Sequence, residues 1–190
     1  MTLVMAFIGA SGAVMGGDMR EITTIGSPDA TAALERDLFS GSLKTDDDVA
    51  RRAGELGVQV SIRDDKVKVT ERDGVLVGEV TAFEAGVLHS RRLYATAGSY
   101  AIVETGGGPP VRKGEGGAGN FVVLGNELAK GIAGRVISDR WRNGGLDDAR
   151  EVITRSLEQA AAASPSVSRR FVLVETRQKV DLRRVMEADG

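Results

Sequence analysis

The first fifteen residues constrain the fold more than any other part of this sequence. Leu3–Ile8 is an unbroken apolar run, and a second apolar run, Ala13–Met15, follows the turn-forming segment 9–12. Short apolar runs bounded by glycine and serine indicate buried strands joined by a tight turn. We therefore predict a buried hairpin at the N-terminus, which places the first residues of the chain in a sheet.

The turn of this hairpin decides which side chains meet at its open end. A three-residue loop over 9–11 places Thr2 opposite Asp18, whereas a two-residue loop places Met19 opposite Thr2. We predict the three-residue loop, and therefore a pairing of Thr2 with Asp18.

The middle of the chain predicts two helices followed by antiparallel strands. Helix-forming residues at 30–38 and 49–56 follow turn or acidic capping residues. From Val58 onward apolar residues recur at every second position, with turn signals at Asp64–Asp65 and Asp73–Gly74. This pattern is typical of hairpins with one solvated face, so we expect two hairpins here.

The last part of the chain predicts a loop, two helices and a returning strand. Glycines, prolines and scattered charges at 106–120 predict a Gly-rich mobile loop. Apolar residues at helical spacing predict one helix capped by Asn126 and another over 146–163. A buried strand is predicted from Phe171, and the polar end 177–190 is interpreted as an edge strand with a tail.

Composition excludes several kinds of site. With no cysteine and with His89 as the single histidine, the sequence offers neither a thiolate nucleophile nor an imidazole metal cluster. A net charge of -2 argues against nucleic acid as a partner, and neither a membrane-spanning run nor a signal peptide is evident. We expect a single α+β domain over 1–190, located in the cytoplasm and working without cofactor or metal.

Three residues near the hairpin are candidates for chemistry. Thr2 becomes the N-terminal residue if Met1 is removed, and a free α-amine with a pKa of about 8 can accept the proton of its own hydroxyl group. Asp18 and Arg20 follow two strand glycines that leave room for a ligand. Taken singly, Thr2 is also an ordinary chain start, and Asp18 and Arg20 are also an ordinary ion pair at a strand end.

The segments Thr2–Val4 and Gly16–Arg20 together resemble the start of proteasome β subunits and other N-terminal-nucleophile hydrolases. Members of that superfamily carry the catalytic threonine on the first strand, and an acid and an arginine at the end of the second. The resemblance implies a reduced form of the four-layer αββα fold. It also implies Thr2 as nucleophile, its amine as base, and Asp18 and Arg20 as orienting residues.

The second half of the chain is also similar to that superfamily. Gly125-Asn126 resembles the glycine–serine step that begins a helix beside the nucleophile, and Ser166 and Ser168 lie in a turn that resembles the serine-containing turn after the last long helix. The residues implied to contact substrate or the oxyanion are Gly41, Gly125, Asn126, Ser166 and Ser168.

The superfamily also has a lysine near the nucleophile, and the equivalent residue is not obvious in this sequence. The matching region offers Arg36, with Lys44 as a more remote candidate. An arginine keeps its charge, so Arg36 would lower the pKa of the nucleophile without exchanging protons. The ring-forming helical pair of proteasome subunits has no counterpart between Arg36 and Gly125, so we expect a monomer or a small oligomer.

A short, cysteine-free, proteasome-like chain that begins Met-Thr and has a hairpin-rich middle is most similar to the Connectase family of methanogenic archaea. That resemblance implies a peptidyltransferase that recognises a Lys-Asp-Pro-Gly-Ala-type motif in a methyltransferase subunit. The enzyme would cleave at Asp-Pro, hold the acyl part on Thr2, and pass it to another proline-starting chain.

Two other functions remain open at the level of sequence. One is an ordinary threonine peptidase or amidase, which would use water as the acceptor. The other is a non-catalytic, proteasome-like binding module in which Thr2 is merely buried. A mixture containing a proline-starting peptide separates the first two, because only a ligase joins it.

Overall fold

The computed structural model describes residues 3–84 and 87–188, and this part of the chain contains eleven strands and five helices. The strands are β1 (Val4–Gly9), β2 (Gly12–Asp18), β3 (Glu21–Ile25), β4 (Gln59–Arg63), β5 (Val69–Arg72), β6 (Val75–Glu84), β7 (Val87–Thr96), β8 (Ser99–Thr105), β9 (Val111–Gly117), β10 (Asn120–Leu124) and β11 (Phe171–Thr176). The helices are α1 (Pro28–Ser40), α2 (Asp46–Glu55), α3 (Glu127–Arg140), α4 (Leu146–Ala163) and α5 (Leu182–Ala188).

The strands form two sheets and a separate ribbon, and their pairings are antiparallel. The first sheet has the order β10-β1-β2-β11, and the second has the order β5-β6-β7-β8-β9. The ribbon consists of β3 and β4. The expected combination of helices with antiparallel sheets is therefore confirmed.

The first sheet is covered on both faces, which explains the unbroken apolar run of β1. Met5 and Phe7 pack with α3 and α4, where Ile153 is fully buried. The alternate residue Val4 packs instead with Leu76 of the second sheet. A strand buried on both faces needs apolar residues at every position rather than at every second one.

The N-terminal hairpin forms as predicted, but the prediction of its loop was wrong. Gly9 pairs with Gly12, so the loop has two residues, Ala10–Ser11, and the pairing of the strands continues through both glycines. As a result Asp18 lies opposite Leu3, whose carbonyl oxygen accepts a hydrogen bond from the Asp18 amide at 3.1 Å.

The structure also corrects the predictions for two segments near the second sheet. Residues 111–117, within the predicted Gly-rich loop, form the edge strand β9, where Gly116 leaves room for the Tyr100 ring. The segment predicted as an edge strand forms α5, because Leu182 and Val185 are spaced to lie on one helical face against the outer face of the second sheet.

The turn at Asp73–Gly74 joins β5 and β6 as predicted, whereas the hairpin predicted at Asp64–Asp65 does not form. Instead β4 pairs with β3, because α1 and α2 bring the chain back beside that strand. We call these four elements, residues 21–63, the helical lobe. Its small core includes Leu34 and Ala53.

Candidate functional site

The candidate site is built around the carboxylate of Asp18, which is fully buried at the end of β2. Its Oδ1 accepts a hydrogen bond from the Leu3 amide at 2.8 Å. Its Oδ2 accepts hydrogen bonds from the amides of Arg20 and Ser168 at 2.9 and 3.2 Å and from Lys68 Nζ at 3.0 Å. Burial of this charge is tolerated because the carboxylate is both paired and hydrogen-bonded.

Lys68 is the cation of this site. Its side chain is 4% exposed, and Nζ also donates a hydrogen bond to the Arg20 carbonyl oxygen at 2.5 Å. Burial lowers the pKa of Lys68 to about 8, although the Asp18 carboxylate partly opposes this change. An amine in this pKa range can hold a charge and can also exchange a proton near neutral pH.

Lys68 was missed from the sequence because the usual alternation of buried and exposed residues is interrupted at this point. Val67 is 54% exposed, whereas Lys68 is buried next to the buried Val69. A single lysine between valines indicates a solvated strand face, and no local signal contradicts that interpretation. The predicted helper Arg36 lies exposed on α1, so Lys68 rather than Arg36 is the cation bound to Asp18.

Arg20 connects the site to the helical lobe. Its guanidinium group binds Asp64 through two hydrogen bonds of 2.8 Å, binds Asp46 at 2.5 and 3.2 Å, and donates to the Pro165 carbonyl oxygen at 2.7 Å. Hydrogen bonds to Asp64, and next to Asp46, raise the pKa of Arg20 despite its burial. Arg20 is therefore a permanent positive charge that joins four segments of the chain.

A second polar cluster lies at the start of α3. Asn126 caps this helix, since its Oδ1 accepts a hydrogen bond from the Ala129 amide at 2.8 Å, and its Nδ2 donates to Ser166 Oγ at 3.2 Å. Ser166 Oγ lies 2.8 Å from Ser164 Oγ, which contacts the Leu38 carbonyl oxygen at 3.4 Å. The hydroxyl groups are buried but satisfied.

The turn between α4 and β11 brings the two clusters together, because Ser166 binds Asn126 and Ser168 binds Asp18. Gly125 is buried directly before α3. Gly41 ends α1 in the left-handed conformation, with φ of 78°, and lies against the Leu128 side chain of α3. Thr2, the predicted nucleophile, lies outside the described residues.

Within residues 3–84 and 87–188, no group of three or more His, Asp or Glu residues is arranged to hold a metal ion. In the same part of the chain, no helix is long and apolar enough to cross a membrane.

These features define a mixed α and β domain in which a buried Asp–Lys pair holds the start of the N-terminal strand. The sequence matches the protein family described as "Connectase MJ0548-like, N-terminal domain" over residues 1–190. The chain belongs to this family. No curated protein matches the sequence.

Three solved structures of Anbu proteins are similar to this chain at low sequence identity. The Gly-1 mutant from Hyphomicrobium sp. strain MC1 has 14% identity and a TM-score of 0.42, with 92% of this chain and 80% of that chain covered. Anbu from Yersinia bercovieri has 12% identity and a TM-score of 0.44, with coverage of 92% and 81%. The helical Anbu assembly from Pseudomonas aeruginosa has 11% identity and a TM-score of 0.44, with coverage of 99% and 93%.

Proposed function

We propose that this protein is an N-terminal-threonine peptidyltransferase, a ligase that cleaves an Asp-Pro-type motif and transfers the acyl part to another peptide. Membership of the Connectase family supports this proposal. The observation that carries it is the Asp18 carboxylate, which binds both the Leu3 amide, directly after Thr2, and the buried Lys68 amine. In this proposal the charges of Asp18 and Lys68 act next to Thr2 as the N-terminal nucleophile.

In the proposed reaction, Thr2 Oγ attacks the carbonyl carbon of the substrate Asp-Pro bond while the α-amine of Thr2 takes the hydroxyl proton. The tetrahedral intermediate collapses, the C–N bond breaks, and the leaving proline nitrogen receives that proton. An ester between the acyl part and Thr2 remains. The amine of an incoming chain then attacks the ester carbonyl, forms a new amide, and returns the proton to Thr2 Oγ.

We assign roles to the surrounding residues on the same basis. Asp18 fixes the start of β1 through the Leu3 amide, and Lys68 takes the electrostatic role first given to Arg36. Arg20 positions this pair because its amide binds Asp18 and its carbonyl oxygen binds Lys68. The residues proposed to contact substrate or the oxyanion are Gly41, Gly125, Asn126, Ser166 and Ser168.

The wider proposal concerns the fold and the partner. We propose a single domain with a reduced four-layer αββα fold, in which α3 and α4 form one outer layer and α5 forms the other. The segment 106–120, which contains the edge strand β9, is proposed to exclude water from the ester, which favours transfer over hydrolysis. The proposed substrate is a methyltransferase subunit, and the proposed enzyme is cytoplasmic and a monomer or small oligomer.

The test is a ligation assay on protein whose intact mass establishes removal of Met1. A peptide containing Lys-Asp-Pro-Gly-Ala is mixed with a labelled peptide that begins with proline, and products are measured by mass spectrometry. We expect a joined peptide and an acyl adduct on Thr2, both lost in Thr2→Ala. The matched control Thr154→Ala, in α4, retains both.

Two other outcomes of this assay would each indicate a different function. Cleaved but unjoined substrate shows a threonine peptidase or amidase. A chain that lacks Met1 and forms neither product nor adduct overturns the enzymatic proposal and supports a binding module.

A further inference from the structure

A cleft lies where three helices meet, outside the Asp18 site. It has a volume of about 400 Å³, which is within the range of about 300–1,000 Å³ typical of ligand pockets. Leu128 and Ile132 of α3 and Ala162–Ala163 of α4 form its apolar lining, and Gly41 at the end of α1 lies against the Leu128 side chain. We call this feature the helix cleft.

Two cations line the helix cleft and no carboxylate does. Lys44 and Arg135 are both exposed, and neither side chain has an ion pair or hydrogen bond among residues 3–84 and 87–188. By contrast, the nearby cation Lys130 pairs with Glu127 at 2.7 Å. The cleft therefore has positive charge that its own surroundings do not neutralise.

The C-terminal ends of two helices neutralise only part of this positive charge. α1 and α4 both end at the cleft without a basic residue in the last turn, although serine hydroxyl groups bind carbonyl oxygens in the last turn of α1. Each helix C-terminus carries at most about -0.5 charge. Two cations against two such ends leave an excess of about one positive charge. The cleft can therefore accept a carboxylate as well as an apolar side chain.

The helix cleft shares a wall with the candidate site. Ala163 lines the cleft, and the next residue, Ser164, binds Ser166 Oγ at 2.8 Å. Ser164 also contacts the carbonyl oxygen of Leu38, three residues before Gly41. A substrate chain with one segment bound at Asn126 and Ser166 can therefore reach the helix cleft with a neighbouring segment.

We propose that the helix cleft binds an acidic, aliphatic segment of the protein substrate outside the bond that reacts. An aliphatic side chain packs on Leu128 and Ile132, and a carboxylate binds between Lys44 and Arg135. This inference rests on the proposed function for its choice of occupant, because a ligase for protein chains needs contacts beyond a short motif to select its substrate.

The experiment measures binding without catalysis, so that it can fail independently of the ligation assay. The probe is a fluorescein-labelled decapeptide of alternating leucine and glutamate separated by glycines, without an Asp-Pro bond, and its affinity is measured by fluorescence anisotropy. We expect Lys44→Glu combined with Arg135→Glu to weaken binding at least tenfold. The control pair Arg140→Glu with Lys179→Glu, which makes the same charge change at exposed sites outside the cleft, retains the affinity within twofold.

Peptide variants test the apolar contacts and the charged contacts separately. Replacing leucine by serine, or glutamate by glutamine, is expected to weaken binding at least fivefold in each case. Equal loss of affinity in the control pair, or equal binding of all three peptides, overturns the proposal. Full competition by inorganic phosphate at the same concentration as the peptide also overturns it, because the cleft would then be a small-anion site. Thermal melting of each variant establishes that it is folded.

Discussion

Lys68 is a buried amine whose charge changes within the pH range in which most enzymes work. Burial lowers its pKa to about 8, which is close to the pKa of about 8 of an ordinary α-amine. In the proposed reaction the amine of Thr2 must be neutral to accept a proton, whereas Lys68 stabilises negative charge only while it is protonated. The two requirements oppose each other as the pH rises.

We therefore expect kcat/KM for ligation to follow a bell-shaped pH profile with its maximum close to pH 8. The acidic limb reports loss of the neutral amine, and the alkaline limb reports loss of the proton from Lys68. Lys68→Arg should move the alkaline limb upward, because arginine keeps its charge. The measurement is initial ligation rate against pH for both proteins.

The same variant distinguishes two roles for Lys68. If neutral Lys68 were the base, the wild-type rate would rise through pH 8 without falling, and Lys68→Arg would be inactive at every pH. That outcome would exclude the electrostatic role.

Asp18 depends on Lys68 for the neutralisation of its buried charge. We expect Lys68→Met to lower the free energy of unfolding by about 3–5 kcal/mol, because removal of one partner of a buried ion pair leaves an uncompensated charge. The control is Lys179→Met at an exposed position, for which a change within about 0.5 kcal/mol is expected. Urea denaturation measures both, and equal stability of the two variants would contradict the role of the pair.

At the level of elements, Asn126 has two structural roles, and a sequence pattern indicates only the first of them. It caps α3 as an ordinary helix-capping residue, and it also binds Ser166 across the fold. Ser27 caps α1 through a longer hydrogen bond of 3.4 Å at an exposed position. Comparing the two caps therefore separates the effect of helix capping from the effect of the contact with Ser166.

We expect Asn126→Ala to lower the free energy of unfolding by about 1–2 kcal/mol, with a further loss because Ser166 keeps only one of its side-chain partners. Ser27→Ala should cost about 0.5 kcal/mol, at the low end for caps. Chemical denaturation of both variants is the measurement. Equal losses would show that the Asn126–Ser166 contact contributes nothing.

Polar contacts attach the helical lobe to the site. Asp46 is the first residue of α2 and binds Arg20. Its neighbour Asp47 is exposed, like Asp46, but lies outside the Arg20 network. We expect Asp46→Asn to speed amide exchange in α2 by several fold, because the helix loses its contact with the buried guanidinium. Asp47→Asn removes an equal charge from the same helix end.

Hydrogen exchange followed by mass spectrometry compares these two variants. Faster exchange in both would assign the effect to the helix dipole, and no change in either would show that Asp46 does not hold the lobe.

The elements themselves were largely predictable where caps and periodicity agree. α4 was predicted at 146–163 because apolar residues recur at helical spacing and Ser164-Pro165 ends the helix. α5 was not predicted, because Leu182 and Val185 allow either a strand or a helix until the outer face of the second sheet is present. Tertiary packing therefore decides whether such a short segment forms a strand or a helix.

The candidate site was predictable only where its residues lie close together in the sequence. Asp18 and Arg20 lie two residues apart after the strand glycines, so one segment of sequence indicated both. Lys68 lies 50 residues from Asp18 along the chain, and only the packing of β5 on the first sheet brings them together. Asp46 and Asp64 were missed for the same reason.

At the scale of the whole molecule, the two sheets approach each other closely at Gly78 of β6. A Cβ atom there would lie 2.6 Å from Met15 Sδ and 2.7 Å from Val4 Cγ1. Met15 is flexible and can move, but Val4 is a β-branched residue in the middle of the core and cannot easily rotate away. A single methyl group at this position therefore tests the contact between the sheets.

We expect Gly78→Ala to lower the free energy of unfolding by about 1–3 kcal/mol through overpacking. Gly131 provides the opposite case, since it lies exposed in α3, where an added methyl group would have no heavy atom within 4 Å beyond its own helix backbone and chain neighbours. Gly131→Ala should raise stability by about 0.4–1 kcal/mol, because alanine restricts the unfolded chain and favours helix. Thermal and urea unfolding measure both changes. Stabilisation by both substitutions would mean that the sheets are less tightly packed than the distances at Gly78 require.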